Sequence, residues 1–117
     1  MKTAEIHFKI TLDDNNVPTA IEWQATDSAN KEVRPCKSVM ISLWDPKEKN
    51  SLRIDLWTKE MMIDEMQIHF FQTLITMAET FEKATGNKEI LADMKNFCND
   101  FSRKVNLFKE KKDSPAQ

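Results

Sequence analysis

The two histidines are the residues in this sequence best suited to acid–base chemistry. His69 follows Glu65 by four residues, so the two side chains would share one face of a helix. A general base needs a partner that fixes its tautomer and a substrate group within reach. The same spacing is common in surface contacts, and no pattern places a serine or cysteine nucleophile nearby. His7 falls on the polar side of an alternating segment. We therefore expect no catalytic residues and no enzymatic activity.

Metal and phosphate sites are also poorly supported by the sequence. The run Asp13-Asp14-Asn15-Asn16 is rich in oxygen ligands, but an EF-hand loop also needs alternating ligands, a central glycine and a terminal glutamate. Aspartate and asparagine in such a run are typical of a turn. The chain has one glycine, which excludes glycine-rich phosphate-binding loops. Cys36 and Cys98 lack metal-ligand spacing and are expected to be two buried, reduced thiols, with a disulfide between them as the alternative. We expect no metal and no cofactor.

Length, charge and hydropathy favour a single-domain protein and argue against nucleic-acid-binding, secreted and membrane-inserted proteins. At 117 residues the chain suits a single domain with one core. Its formal charge of −2 gives no broad attraction for nucleic acid. The sequence reaches a charged, alternating segment at once and has no long apolar run, so we expect neither a signal peptide nor membrane insertion. These features favour a cytoplasmic protein.

Aromatic and charged side chains alternate with aliphatic ones near the middle of the chain. Leu52, Ile54 and Leu56 fall on one face of an extended strand, and Arg53, Asp55 and Trp57 on the other. Exposed tryptophans beside an arginine are typical of interface centres. The alternative interpretation is solvated charges beside packed tryptophans. The candidate protein-binding residues are Trp44, Arg53, Asp55, Trp57, Met61 and Met62.

The elements that would position these residues can be predicted from hydrophobic periodicity. Residues 6–12 alternate strictly, residues 13–18 form a turn, and residues 21–25 alternate again, which indicates a hairpin. Residues 26–35 are a polar connection that Pro35 interrupts. Residues 37–44 fit either a helical stripe or a strand, and their β-branched content favours a strand that pairs with residues 51–57. We therefore predict about four short antiparallel strands in two hairpins.

A three- and four-residue period begins at Ile63 and predicts two helices. Gly86 falls where a left-handed residue would end the first helix, and Asn87 can cap the second. The predicted fold class is α+β, with two long antiparallel helices packed on one face of the sheet. Residues 1–108 would form this single domain, and residues 109–117 a charged, disordered tail.

Several segments resemble the gliding motility protein GldC family of Bacteroidetes, and together they cover nearly the whole chain except the tail. One is the segment from Leu52 to Lys59, in which the run from Arg53 to Lys59, Arg-Ile-Asp-Leu-Trp-Thr-Lys, is the most specific piece. Others are Leu12-Asp13-Asp14-Asn15-Asn16-Val17-Pro18, Ile21-Glu22-Trp23, Leu43-Trp44-Asp45, Asp64-Glu65-Met66 and Phe71-Gln72-Thr73-Leu74. Met62 stands where the resemblance leads us to expect a proline that opens the helix. The resemblance implies a small soluble protein associated with surface motility, and no reaction, cofactor or catalytic residue.

These observations lead to a function by protein–protein interaction. The leading hypothesis is a non-enzymatic cytoplasmic accessory protein that binds a partner in the gliding motility apparatus. The alternative is a small chaperone or carrier that holds an unfolded client or an apolar ligand between sheet and helices, with methionines such as Met61 and Met62 adapting to it. Unpaired sheet edges also make a homodimer plausible, through an edge or through the apolar sheet face.

Overall fold

The computed structural model describes residues 1–27 and 32–106. Five strands precede two helices, which confirms the α+β class. The elements are β1 (Ile6–Leu12), β2 (Pro18–Ala25), β3 (Arg34–Cys36), β4 (Ser38–Asp45), β5 (Asn50–Trp57), α1 (Ile63–Thr85) and α2 (Lys88–Lys104). The predicted tail at residues 109–117 lies outside the described residues.

The chain forms two compact units that meet in sequence between Met61 and Met62. The first contains the five strands and the second contains both helices. That residues 1–108 behave as one domain, and that the helices cover one face of the sheet, stay predictions.

The first sheet has the order β1-β2-β3 and is antiparallel throughout. Ile10 pairs with Ile21, which pairs in turn with Cys36, so the apolar residues of all three strands share a face. Ile21 is only 1% exposed and anchors this unit. The sequence led us to expect a polar connection around Pro35. The structure instead has the short strand β3 there, and its place at the edge of the sheet explains why a residue without an N–H is tolerated.

The second sheet is the hairpin of β4 and β5, which confirms that residues 37–44 contribute a strand. Its register pairs Val39 with Leu56, Ile41 with Ile54, and Leu43 with Leu52. Because side chains alternate along a strand, these six residues share one side of the hairpin, the aliphatic face. The opposite side, the tryptophan face, consists of Ser38, Met40, Ser42, Trp44, Ser51, Arg53, Asp55 and Trp57. Two hydrogen bonds hold the segment just after β5: Thr58 N–H donates to the carbonyl of Lys37, which lies between β3 and β4, and Lys59 N–H donates to the Pro18 carbonyl of β2.

The two helices begin and end where local chemistry favours it. Met62 is the N-cap of α1, and its N–H donates to the Glu65 carboxylate at 2.9 Å. Gly86 ends α1 in the left-handed region, with φ 72°. The Asn87 side chain then accepts a hydrogen bond from Ile90 N–H and caps α2. Both predicted boundaries, at Gly86 and Asn87, are confirmed.

Candidate protein-docking face

The hairpin of β4 and β5 brings Trp44, Arg53, Asp55 and Trp57 onto the tryptophan face. Trp44 pairs with Ser51 near the turn, and Trp57 pairs with Ser38 at the other end. Ser42 lies opposite Arg53, and Met40 opposite Asp55. The face is therefore a strip with an aromatic ring at each end and charges between them.

The two tryptophans are exposed but do not lie side by side. Trp44 is 65% and Trp57 53% exposed. At roughly 3.3 Å per residue, the six steps from Ser51 to Trp57 span about 20 Å. A partner that contacts both rings must therefore lie along the hairpin, because a single small pocket cannot contain both.

Arg53 and Asp55 form an ion pair in the middle of the strip. Arg53 Nη2 lies 2.6 Å from Asp55 Oδ1, and Arg53 Nε lies 3.3 Å from Oδ2. This hydrogen bonding raises the pKa of the Arg53 guanidinium above its ordinary value, because the carboxylate stabilises the charged form. These two hydrogen bonds direct the Arg53 side chain along the strand toward Asp55. A partner thus meets a preformed, nearly neutral pair rather than a free cation.

The turn between β1 and β2 extends the tryptophan face at the Trp57 end. Asn16, Val17 and Pro18 line a shallow depression of about 250 Å³ together with Asp55, Leu56 and Trp57. Our sequence reasoning missed this neighbourhood, since it treated residues 13–18 as turn chemistry alone. Its apolar members are Val17 and Pro18, but only the contact between β2 and the end of β5 brings them to Trp57.

A second ion pair fixes that turn. Lys59 Nζ lies 2.8 Å from Asp13 Oδ2, while Asp13 Oδ1 accepts hydrogen bonds from the N–H groups of Asn15 and Val17. The Lys59 hydrogen bond, followed by the two backbone donors, lowers the pKa of Asp13 to about 2. The carboxylate thus joins the β1–β2 turn to the segment after β5, and it holds Val17 and Pro18 near Trp57.

Comparison with protein-family models assigns the chain to a family. A family model described as gliding motility-associated protein GldC-like matches residues 18–107. The chain belongs to the GldC-like family. The match contains all of β2 to β5 and both helices, so it includes the whole tryptophan face. Comparisons with curated proteins and with solved structures found no match.

Met61 and Met62, the two methionines predicted to extend the tryptophan face of this GldC-like chain, belong to different units. Met61 ends the strand-containing unit, and its N–H donates to the Thr58 carbonyl at 3.0 Å. It is half-buried just beyond Trp57 in the chain. Met62 is 49% exposed and belongs to the helical unit as the N-cap of α1. The surface described here therefore includes Met61, and the contribution of Met62 to it stays a prediction.

The other chemically suggestive residues of the GldC-like chain have ordinary partners or none. His7 Nε2 lies 2.7 Å from Glu5 Oε1, and both side chains are largely exposed. His69 Nε2 is buried and has no hydrogen-bond partner among the described residues. Cys36 and Cys98 are free thiols whose pKa values are raised by burial. Within residues 1–27 and 32–106, no group of three or more His, Cys, Asp or Glu side chains is placed to hold a metal ion.

Among the residues that the structure describes, no helix combines the length and the apolar character that crossing a membrane requires.

Proposed function

We propose that this GldC-like chain is a non-enzymatic, cytoplasmic accessory protein that docks onto a protein of the gliding motility apparatus through the tryptophan face. The observation that supports docking is the exposure of Trp44 and Trp57 on one side of a hairpin, on either side of the Arg53–Asp55 pair. Membership of a gliding motility-associated family supports the cellular context.

Binding would be driven by burial of the two indole rings. Aromatic side chains bury about 150–250 Å² each, and a well-packed tryptophan anchor is worth roughly 2 kcal/mol or more to an interface. The Arg53–Asp55 pair would orient the partner by offering hydrogen-bond donors and acceptors in fixed positions. Val17, Pro18 and Met61 would contribute apolar contacts at the Trp57 end.

The size of the strip indicates how strong the docking would be. A hairpin of eight-residue strands is about 26 Å long and about 10 Å wide, which gives a flat footprint of roughly 260 Å². A standard interface buries about 800 Å² on each partner. The strip alone is therefore suited to reversible, transient docking, and a tighter complex would need contacts beyond it.

The non-enzymatic part of the proposal rests on the sequence, which places no nucleophile beside His69 and offers no cofactor-binding motif. The cytoplasmic part is supported by Cys36 and Cys98, because unpaired thiols suit a reducing compartment.

A motility assay tests the proposed role. The gene would be deleted in the native host, and colony spreading and single-cell gliding speed would be measured after complementation with wild type, Trp57→Ala, Arg53→Glu or the control Ile6→Ala. Ile6 is 66% exposed and lies on β1, away from the tryptophan face, so it controls for loss of an exposed apolar side chain.

We expect deletion to reduce gliding and the two variants of the tryptophan face to restore it poorly, while wild type and Ile6→Ala restore it fully. Each variant's level would be checked by immunoblot. Full restoration by both Trp57→Ala and Arg53→Glu would rule out the tryptophan face as the working surface. Unchanged gliding after deletion would rule out the motility role itself.

A further inference from the structure

The first helix presents more apolar surface than one neighbouring helix can cover. Ala78 is fully buried at the centre of its apolar side, whereas Ile63, Phe70 and Met77 are 69%, 42% and 50% exposed. These three residues are seven apart, so they line up along one flank of α1. A helix with a buried stripe and a parallel exposed stripe is built to contact two neighbours.

The second helix repeats this arrangement. Cys98 is buried, while Ile90 and Phe97, again seven residues apart, are 38% and 56% exposed. An apolar groove of about 240 Å³ lies beside Phe97 and is lined by Leu74 of α1 and by Asp93, Met94, Phe97 and Cys98 of α2. Within the helical unit, one apolar side of the hairpin is therefore left open by both helices.

We propose that a second copy of this chain covers this open side, so that two helical hairpins form a four-helix bundle around a two-fold axis. Seven-residue spacing on both helices is the pattern by which helices pack at shallow angles in such bundles. Phe97 and Met77 are the central anchors of this dimer interface.

The available area favours a second copy on the helices. The 17 residues of α2 span about 26 Å, and two adjacent helices are about 20 Å wide, which gives a flat footprint of roughly 500 Å² on each copy. The total of about 1,000 Å² reaches the lower limit for a specific interface. The aliphatic face of β4 and β5 has the same length but half the width, so a dimer through it would bury only about 500 Å².

The charges beside the anchors decide how the two copies are paired. Asp93 and Asp100 lie one turn before and one turn after Phe97 on α2. The equivalent positions beside Met77 on α1 are Thr73 and Thr80, which carry no charge. Two α2 helices placed against each other would bring Asp93 of one copy beside the Asp100–Arg103 pair of the other, whereas α1 presents no charge there, so α2 of each copy packs against α1 of the other.

Sedimentation equilibrium of the full chain tests the dimer. The monomer mass is 13.7 kDa, and we expect twice that mass for wild type at micromolar concentrations. Phe97→Lys and Met77→Lys should each raise the dimer Kd by about 100-fold or more, because each substitution removes a central anchor from both halves of a symmetric interface. Phe97→Lys should keep α2 folded, since Asp93 lies four residues before it and can pair with the lysine.

Ala92→Lys is the matched control, because it adds the same charge at an exposed α2 position on the opposite side from Phe97. Its dimer Kd should stay within about threefold of wild type. Circular dichroism would establish that each variant retains helix. If either lysine variant loses helix, Phe97→Ala replaces it and should still weaken the dimer about tenfold or more.

A wild-type chain that stays monomeric at about 200 μM overturns the proposal, and the predicted packing of the helices on the chain's own sheet then becomes the candidate for covering this side. A dimer that both lysine variants leave unchanged overturns it too, because its interface must lie elsewhere. The dimer does not rest on the docking function: Trp57→Ala should leave the dimer Kd unchanged, so the two proposals can fail separately.

Discussion

Gly86, which lies between the two helices, permits a prediction of how far a substitution changes the free energy of unfolding, because its backbone conformation determines the cost. Gly86 has φ +72°, and a Cβ built there would meet no atom within 4 Å. Replacement by alanine therefore introduces no clash, and its cost is the left-handed backbone conformation alone. The Gly86 N–H donates to the Glu82 carbonyl at 2.7 Å, so the conformation is fixed by the end of α1 and cannot relax without breaking that bond.

The expected magnitude is a difference of two effects. The left-handed conformation destabilises the folded state by about 1–2 kcal/mol when the residue is not glycine. Alanine also reduces the conformational entropy of the unfolded chain, which stabilises the folded state by about 0.4–1 kcal/mol. Gly86→Ala should thus lower the free energy of unfolding by about 1 kcal/mol, or the melting temperature by about 4 °C. Gly86→Asn should cost less, since asparagine enters this region more readily.

Urea unfolding followed by circular dichroism measures both variants against wild type. The slope m should not change, because neither substitution alters the surface that is exposed on unfolding. An alanine variant as stable as wild type would refute the reasoning. So would an asparagine variant that is less stable than the alanine variant, since strain at φ +72° would then not control the cost.

Two further predictions concern the strand-containing unit. The folded pKa of Asp13, about 2, lies below the ordinary value of 3.8, so its carboxylate contributes stability that is present above pH 3.8 and lost as the pH falls through about 2. Asp13→Asn should therefore be less stable than wild type at pH 7, and the difference should narrow below pH 4 and close once the pH is below 2; a difference that keeps its full size at pH 2 in acid unfolding curves would contradict this. The Thr58 hydroxyl is buried and has no hydrogen-bond partner among the described residues. Thr58→Val should thus be neutral or stabilising by up to about 1 kcal/mol in thermal unfolding, and a clear loss would indicate a partner for that hydroxyl.

Most of the strands could be predicted because local patterns and tertiary contacts agree in them. Strict alternation from Ile6 to Leu12 gave the bounds of β1, and the β-branched residues of 38–45 resolved an ambiguous pattern correctly as a strand. β3 could not be found, because three residues carry no period and Pro35 argues against a strand. Only its position at the edge of the sheet makes that strand possible.

The residues that β4 and β5 contribute to the candidate site were predictable, but their arrangement and their neighbours from other segments were not. Alternation placed Arg53, Asp55 and Trp57 on one side of β5, and the register of the hairpin added Trp44. Register depends on the length of the turn, which sets Trp44 opposite Ser51 and so separates the two rings. Contacts between segments distant in sequence, such as Lys59 with Asp13, leave no periodic signal.

Quantitative affinity capture tests the central claim, docking through the tryptophan face, most directly. Tagged wild type, Trp57→Ala, Arg53→Glu and the control Lys95→Glu would be incubated with a membrane-containing lysate of the native host. Bound proteins would be compared by mass spectrometry, after circular dichroism has established that every variant is folded. Lys95 is exposed on α2, so Lys95→Glu makes the same charge change as Arg53→Glu on a different element.

We expect wild type and Lys95→Glu to retain the same motility component, and we expect the amount retained by both variants of the tryptophan face to fall by about tenfold or more. Equal retention by all four proteins would contradict it.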